Sequence, residues 1–247
     1  TSDNALRASV FLAGALAWSS GGNLGTARNQ MSGGSGFGIQ TAGALAGGGV
    51  PTSTANVEEY NGSAWSEVNN LPEGLQWGGG MGTLTAGIHV GGTISPGANR
   101  NTTRHYDGTN WTSGGNLAAT GRVRGCFGTQ TAGITAGGSP RDSIGQTAEE
   151  YDGSSWTAIA APAFKAEGKG AGSASPVSAG IIFGGSPPGP QQQTETWNGS
   201  AWSTGPNMSQ VRRYMGGFGT ATASIAAGGS TSSSQLNATE QYNGTAW

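Results

Sequence analysis

The chain has 247 residues, a length that suits one large domain or two small ones. Leu, Ile, Val and Phe make up only about 13% of it, a fraction typical of disordered chains, but disorder also requires a high net charge and here the formal net charge is −2. So small a charge provides no basic surface for nucleic acid, the single cysteine excludes an intrachain disulfide framework, and no apolar run reaches the ~18 residues that membrane insertion needs.

A six-residue motif recurs five times between residues 60 and 247. It consists of an aromatic residue, Asn or Asp, Gly, two further residues and Trp, and a copy begins every 45 or 46 residues. The copies begin and end at Tyr60 and Trp65, Tyr106 and Trp111, Tyr151 and Trp156, Trp197 and Trp202, and Tyr242 and Trp247. A Gly pair and an element such as Gly128–Gly133 (GTQTAG) keep the same phase, which indicates five repeated units.

Each unit predicts four short strands, as the third unit illustrates. The first strand ends within Cys126–Thr129, and after a tight turn the second strand covers Ala132–Ala136 and runs into the Gly pair. A variable loop leads to a third strand over Thr147–Tyr151. The Asp-Gly turn that follows is a strong hairpin signal, because both residues accept positive φ, and it leads to a fourth strand with Trp156. No helical periodicity appears in any unit, which indicates an all-β protein.

Four strands per unit, with a Gly pair, an aromatic residue and a Trp at fixed offsets, resemble the kelch repeat of β-propellers over about residues 18–247. The resemblance implies that Gly137 and Gly138 end the second strand, that Tyr151 lies on the third and that Trp156 lies on the fourth. We therefore expect a five-bladed β-propeller of four-stranded antiparallel blades. Because they recur periodically, the ten aromatic residues of the motif are predicted to be structural residues that pack between blades.

Trp18 lies 47 residues before Trp65 but lacks the rest of the motif. Propellers often close with an N-terminal strand that completes the last sheet and removes its exposed edge. We predict that Ala15–Ser20 does so for the fifth blade; the competing interpretation is a fragment of a longer array. The predicted organisation is a lead-in segment over residues 1–14 and the propeller over residues 15–247.

A carboxylate recurs on the third strand, two residues before the aromatic residue, and a basic residue recurs before the first strand. The carboxylates are Glu58, Glu149, Glu195 and Glu240, and the bases are Arg28, Arg122, Lys165 and Arg212. Unit two carries Arg104 and Glu73 instead, which suggests an ion pair whose signs are exchanged. We expect a structural contact between acid and base in each blade rather than a ring of carboxylates that binds a cation.

Both histidines, His89 and His105, lie in unit two, where they could approach each other across the sheet. No third metal ligand is evident, and Cys126 has no histidine in its own unit, so the sequence predicts neither a metal site nor a cofactor. It contains no nucleophile elbow and no phosphate-binding loop. We therefore predict that the protein is not an enzyme.

The loops between the Gly pair and the third strand differ most among the units and should emerge on one face of the propeller. Trp77 also stands apart, because only the last unit has an aromatic residue, Tyr214, at the same offset. We predict Trp77 as a stacking residue. The polar loop residues predicted to bind a ligand with it are Asn99, Arg100, Arg141, Asp142 and Gln191.

Segments of the repeats, such as NLGTARNQMSGG and AEEYDGSSWT, are similar in sequence to kelch-type repeats in predicted structural proteins of marine bacteriophages. That resemblance implies a virion or extracellular location, a role in capsid decoration or in a tail or fibre, and other virion or assembly proteins as partners. The alternatives are a lectin with a glycan pocket on every blade, an enzyme with a non-repeating polar cluster at the axial mouth, and a eukaryotic adaptor propeller.

Overall fold

The computed structural model describes residues 20–31, 35–172, 174–186 and 189–247. Five antiparallel sheets follow one another along the chain, and their first strands contact each other in succession around a central axis. The described helical structure is a single turn, α1 (Arg141–Ile144), and no helix in these residues is long and apolar enough to cross a membrane. The predicted all-β, five-bladed propeller is confirmed.

Each blade arises from one repeated unit, and its strands run outward from the axis in chain order. Blade 1 and its loop contain β1 (Gly36–Ile39), β2 (Ala42–Ala46), β3 (Gly49–Val50), β4 (Thr52–Ser53), β5 (Val57–Tyr60) and β6 (Trp65–Val68), of which β3 and β4 form a separate hairpin. Blade 2 and its loop contain β7 (Gly79–Thr83), β8 (Ala86–Val90), β9 (Thr93–Ile94), β10 (Ala98–Asn99), β11 (Thr103–Tyr106) and β12 (Trp111–Ser113), of which β9 and β10 form a separate hairpin.

The other three blades carry no such extra hairpin in the part of the chain that the structure describes. Blade 3 contains β13 (Gly125–Gly128), β14 (Gly133–Ala136), β15 (Ala148–Tyr151) and β16 (Trp156–Ala158). Blade 4 contains β17 (Gly170–Ala171), β18 (Gly180–Phe183), β19 (Thr194–Trp197) and β20 (Trp202–Thr204). Blade 5 contains β21 (Gly216–Thr220), β22 (Ala223–Ala227) and β23 (Thr239–Tyr242). Apart from Ser20, the predicted closing strand lies outside the described residues, as does the predicted lead-in segment over residues 1–14.

The turn that follows the third strand has the same construction in all five blades. The side-chain oxygen of its Asn or Asp accepts hydrogen bonds from the backbone N–H groups two and three residues later, as Asn61 does from Ser63 and Ala64 at 3.0 Å each. The next residue is a glycine with positive φ, such as Gly62 at +94°. The bonds explain why the motif requires Asn or Asp followed by Gly, and they make these carboxylates part of the turn.

The two aromatic residues of the motif lie opposite each other on the third and fourth strands in blades 1 to 4, and in all five motifs their ring centroids are 4.7–5.3 Å apart. In blades 2 to 5 the indole N–H of the Trp donates to the preceding blade. Trp111 donates to the carbonyl of Asn69 at 3.0 Å, and Trp156 donates to the hydroxyl of Thr103 at 2.8 Å. In blades 2 to 5 the aromatic pair therefore ties its blade to the neighbour before it.

A bulky side chain of the first strand packs on a bare glycine of the next blade. A Cβ on Gly87 would overlap the ring of Phe37, and a Cβ on Gly180 would overlap the ring of Phe127. Met81 occupies the same position against Gly133. The roles are exchanged between blades 4 and 5, where Gly172 replaces the bulky residue and Ser224 replaces the glycine. At these four junctions the two facing positions are therefore complementary in size.

We predict that Gly180→Ala lowers the free energy of unfolding by about 1–3 kcal/mol, because the added methyl group overpacks against Phe127. Urea denaturation measures the change. Gly216→Ala is the matched control, because a Cβ there would meet only the carbonyl of Ala227, at 3.8 Å. Equal losses in the two variants would show that the glycine does not set the spacing between blades 3 and 4.

Candidate functional site

Each unit enters its first strand through one residue with positive φ. These five residues, here called the axial ring, are Gln30, Trp77, Val123, Gly168 and Tyr214, with φ between 51° and 65°. Positive φ is uncommon for residues other than glycine, so its recurrence reflects the path that the fold imposes on the chain at this point. The axial ring lies on the face from which the variable loops emerge, because its neighbour Arg122 pairs with Ser139 at the start of a loop.

Backbone hydrogen bonds join successive members of the axial ring. Trp77 N donates to Gln30 O and Val123 N to Trp77 O, both at 2.8 Å, and the chain of bonds continues from Gly168 to Val123 at 3.1 Å and from Tyr214 to Gly168 at 3.0 Å. The ring brings together two side chains that are 137 positions apart in the sequence numbering. The centroids of the Trp77 and Tyr214 rings lie 5.5 Å apart.

A pocket of about 90 Å³ opens beside this aromatic pair. This axial pocket is lined by Trp77, Arg122, Val123, Ser139, Glu167 and Tyr214, which come from blades 2 to 5. The hydroxyl of Tyr214 donates to Oε1 of Glu167 at 3.1 Å, and the guanidinium carbon of Arg213 lies 5.2 Å from the centre of the Tyr214 ring. The pocket therefore combines aromatic surface with groups of both charges.

Burial and the charge of Glu167 raise the pKa of the Tyr214 hydroxyl, whereas the positive charges of Arg213 and Arg122 act against them. Arg122 takes part in no ion pair and no side-chain hydrogen bond among the described residues. Its guanidinium is therefore free to bind a group that enters the axial pocket.

A larger cavity of about 680 Å³ lies between blades 1 and 5 and also reaches Trp77 and Tyr214. Its apolar lining includes Ile39, Trp65 and Phe218. At the other four junctions, the second glycine of the Gly pair donates its N–H to the next blade, as Gly48 does to Leu75 at 2.8 Å. No corresponding bond joins Gly229 to blade 1 within the described ranges. Among the described residues, this junction therefore lacks the backbone bond that joins the other four.

The structure places the predicted binding residues apart. Trp77 lines the axial pocket, but the five loop residues do not. Arg100 donates to Glu73 at 3.1 Å, and Asn99 lies in the hairpin of the same loop. The α1 residues Arg141 and Asp142 pair with each other, and Asp142 also bonds Lys165 at 3.0 Å. Gln191 donates its backbone N–H to Gly185 at 2.8 Å and is engaged within its own loop.

Sequence reasoning missed three lining residues, Arg122, Glu167 and Tyr214, as members of a common site. The sequence did contain a signal for them, because Tyr214 lies at the same repeat position as Trp77, and Arg122 and Glu167 lie one residue before it in their units. A comparison of this position across all five units would have grouped the three residues with Trp77. What the sequence did not show is that this offset marks the axis.

Ion pairs between acid and base form in blades 1, 2, 3 and 5, and in blades 3 and 4 the predicted basic residue is not the one beside the carboxylate. Arg28 pairs with Glu58 at 2.7 Å, and Arg212 pairs with Glu240, as expected. In blade 3 the partner of Glu149 is the buried Arg124, at 3.7 Å, and not Arg122. In blade 4 the buried cation is Lys169, close enough to Glu195 to feel its charge, while Lys165 bonds Asp142. Long side chains reach the same carboxylate from positions three residues apart, which spacing alone does not distinguish.

The exchange of signs in blade 2 is confirmed, since Arg104 pairs with Glu73 at 3.5 Å. The reason lies in a second set of hydrogen bonds. In the other blades, the third-strand carboxylate accepts a backbone N–H of the entering segment, as Glu149 does from Ala118 at 2.8 Å. Blade 2 has Pro72 at the position of Ala118, and proline has no N–H to donate. A carboxylate on the third strand of blade 2 would therefore lack this hydrogen bond, and Arg104 stands at that position instead.

We predict that Glu149→Gln lowers the free energy of unfolding by about 3 kcal/mol, because it leaves the buried charge of Arg124 uncompensated. The neighbouring Glu150→Gln, on the opposite face of the same strand, serves as the control and should change it by less than about 0.5 kcal/mol. Chemical denaturation at pH 7 compares them. Similar values for both variants would contradict a structural role for the pair.

The two histidines face opposite sides of the blade 2 sheet, since His89 lies opposite Arg104 and His105 opposite Ile88. The ring of His105 bonds the hydroxyl of Tyr151 in blade 3 at 2.8 Å. Neither ring nitrogen of His89, which is 1% exposed, has a hydrogen-bond partner in the described part of the chain. The prediction that the two side chains could approach each other across the sheet is therefore wrong. No group of three or more metal-ligating residues occurs within the described ranges.

Burial, assisted by the charge of Arg104, lowers the pKa of His89 from 6.5 to about 4. Below pH 6.5 the unfolded chain takes up a proton that the folded chain does not accept until about pH 4, so acid favours unfolding. We predict that this residue removes about 3 kcal/mol of stability between pH 7 and pH 4. His89→Leu, which introduces the residue that blade 1 has at this offset, should remove that dependence.

Denaturation across this pH range measures the effect, and His105→Gln is the control that retains His89. If His89→Leu and the unmodified protein lose stability equally between pH 7 and pH 4, His89 does not carry the dependence.

No family model matches the chain, and comparison with curated proteins finds no match. What the structure establishes at the level of class is therefore the five-bladed β-propeller itself.

Proposed function

We propose that this chain is a non-enzymatic binding propeller of the kelch type that works within a larger assembly, as a virion-associated protein in capsid decoration or in a tail or fibre. The observation that carries the binding role is the axial pocket. It lies on the face with the divergent loops, beside five equivalent positions that carry chemically different residues: Gln30, Trp77, Val123, Gly168 and Tyr214.

The environments of the thiol of Cys126 and of the carboxylate of Glu167 favour binding over catalysis. Burial raises the pKa of the Cys126 thiol to about 12, so the thiolate that would act as a nucleophile does not form at neutral pH. Glu167 is the one carboxylate among the residues that line the axial pocket, and it accepts the Tyr214 hydroxyl. Glycoside hydrolysis usually employs two carboxyl groups. The polar cluster at the axial mouth thus suits recognition better than reaction.

The proposal of an assembly role is supported by the resemblance of the repeats to those of bacteriophage structural proteins and by the construction of the chain. Only 10% of the residues are charged, and the turns between strands are short and internally hydrogen-bonded. Short, bonded turns offer few sites for proteolysis, which suits a protein displayed outside a cell. The proposed partners are other virion or assembly proteins.

Glycan binding is the second candidate, and the aromatic pair favours it. Trp77 and Tyr214 offer flat apolar surface beside hydrogen-bonding groups, the combination that sites for small polar ligands contain. The differences within the axial ring favour one site per propeller over a pocket on every blade.

We predict that peptides of this chain travel with megadalton particles when its native source is fractionated by size and analysed by mass spectrometry. A particle component that binds through one face should remain with the particle, whereas a free protein would elute near 24.5 kDa. Recovery only at the smaller size would contradict the assembly role and leave the glycan-binding proposal as the alternative.

A further inference from the structure

We infer that the axial pocket binds the terminal residue of an acidic glycan, with the sugar carboxylate on Arg122 and the face of the sugar ring on Trp77. This inference rests on the proposed binding role and assigns a ligand class to the same site.

The charge of the site argues for an anion. Among the described residues, three charged ones lie at or beside the axial pocket: Arg122, Arg213 and Glu167. Together they leave one excess positive charge. Glu167 is satisfied by Tyr214, and Arg213 lies over the Tyr214 ring. Arg122 therefore supplies the unused charge, and a guanidinium binds a carboxylate through two parallel hydrogen bonds.

Every other arginine in the described ranges is already engaged. Arg28, Arg124 and Arg212 are buried beside third-strand carboxylates. Arg100 and Arg104 share Glu73, and Arg141 pairs with Asp142. Arg122 and Arg213 are the two described arginines without a carboxylate partner. Arg213 bonds the Ser186 hydroxyl at 3.5 Å and lies over the Tyr214 ring, and of the two only Arg122 lines the axial pocket.

The remaining lining residues suit a sugar ring. The apolar C–H face of a pyranose packs on an aromatic ring, for which Trp77 is the available surface. Glu167 and Ser139 can exchange hydrogen bonds with ring hydroxyls. A simple inorganic anion would use Arg122 alone and leave this aromatic and hydroxyl-binding surface without a role.

The size of the pocket limits the ligand to a chain end. Its volume of about 90 Å³ equals that of about three water molecules at ~30 Å³ each, which admits a carboxylate and one edge of a ring but not a threaded chain. The hydrogen bonds of the axial ring fix the backbone of Trp77 and Val123, so the site is organised before the ligand arrives.

The test is a glycan array of oligosaccharides that share a neutral core and end in glucuronic acid, sialic acid or glucose, followed by calorimetric titration. We expect binding to at least one acidic terminus and affinity at least about ten-fold lower for the glucose terminus, since a charged hydrogen-bonded contact is lost. Arg122→Gln should remove this difference. Arg141→Gln, an arginine of the same face outside the pocket, is the matched control.

A second variant removes the Trp77 ring without straining the backbone, so that a loss of binding is not caused by misfolding. Trp77→Gly introduces the residue that blade 4 has in the axial ring, so the positive φ at this position is retained without strain. It should abolish binding to both termini while thermal unfolding stays cooperative.

Three results would overturn the inference: no binding to any acidic terminus, equal affinity for acidic and neutral termini, or unchanged affinity in Arg122→Gln. These outcomes are separable from the assembly proposal. A chain that travels with particles but ignores acidic glycans retains the assembly role and loses this inference, whereas a free chain that binds them does the reverse.

Discussion

The close contact between neighbouring blades is the constraint on which the rest of this propeller depends. A ring or thioether from one blade lies directly on the backbone of the next, which is possible only where that backbone carries glycine, as at Gly87 and Gly180. This arrangement explains how a chain with 48 glycines and few aliphatic residues forms a core. The apolar surface is supplied by a few large side chains, and glycine allows them to bury it completely.

Close blades also bury charge, and the structure satisfies that charge in more than one way. The third-strand carboxylate accepts a hydrogen bond from the entering backbone and faces a cation. That cation comes either from the position of Arg28 and Arg212 or from that of Arg124 and Lys169. In blade 2 the signs of the ion pair are exchanged, because Pro72 has no backbone N–H to donate to a third-strand carboxylate. The repeat therefore conserves an electrostatic balance within each blade rather than a residue type at each position.

The axial site arises where this regularity ends. The backbone of the axial ring is nearly the same in all five blades, since every member has positive φ and four bonds join them. Only the side chains differ, so that Trp77 and Tyr214 meet and Arg122 stays unpaired among the described residues. A uniform backbone holds unlike side chains at fixed positions, which is how a repeat protein obtains a single specific site.

The repeat motifs by themselves determined the number of blades, the strands of the third unit to within about a residue, the Asn-Gly or Asp-Gly turns and the pairing of an acid with a base, because these depend on local spacing that recurs five times. They did not predict the extra hairpins of blades 1 and 2. The tertiary structure alone decided which cation reaches each carboxylate, that His89 and His105 face opposite sides, and that Trp77 meets Tyr214, Arg122 and Glu167. Those relations join residues of different blades, and the curvature that brings the blades around one axis is a property of their packing and not of any single repeat.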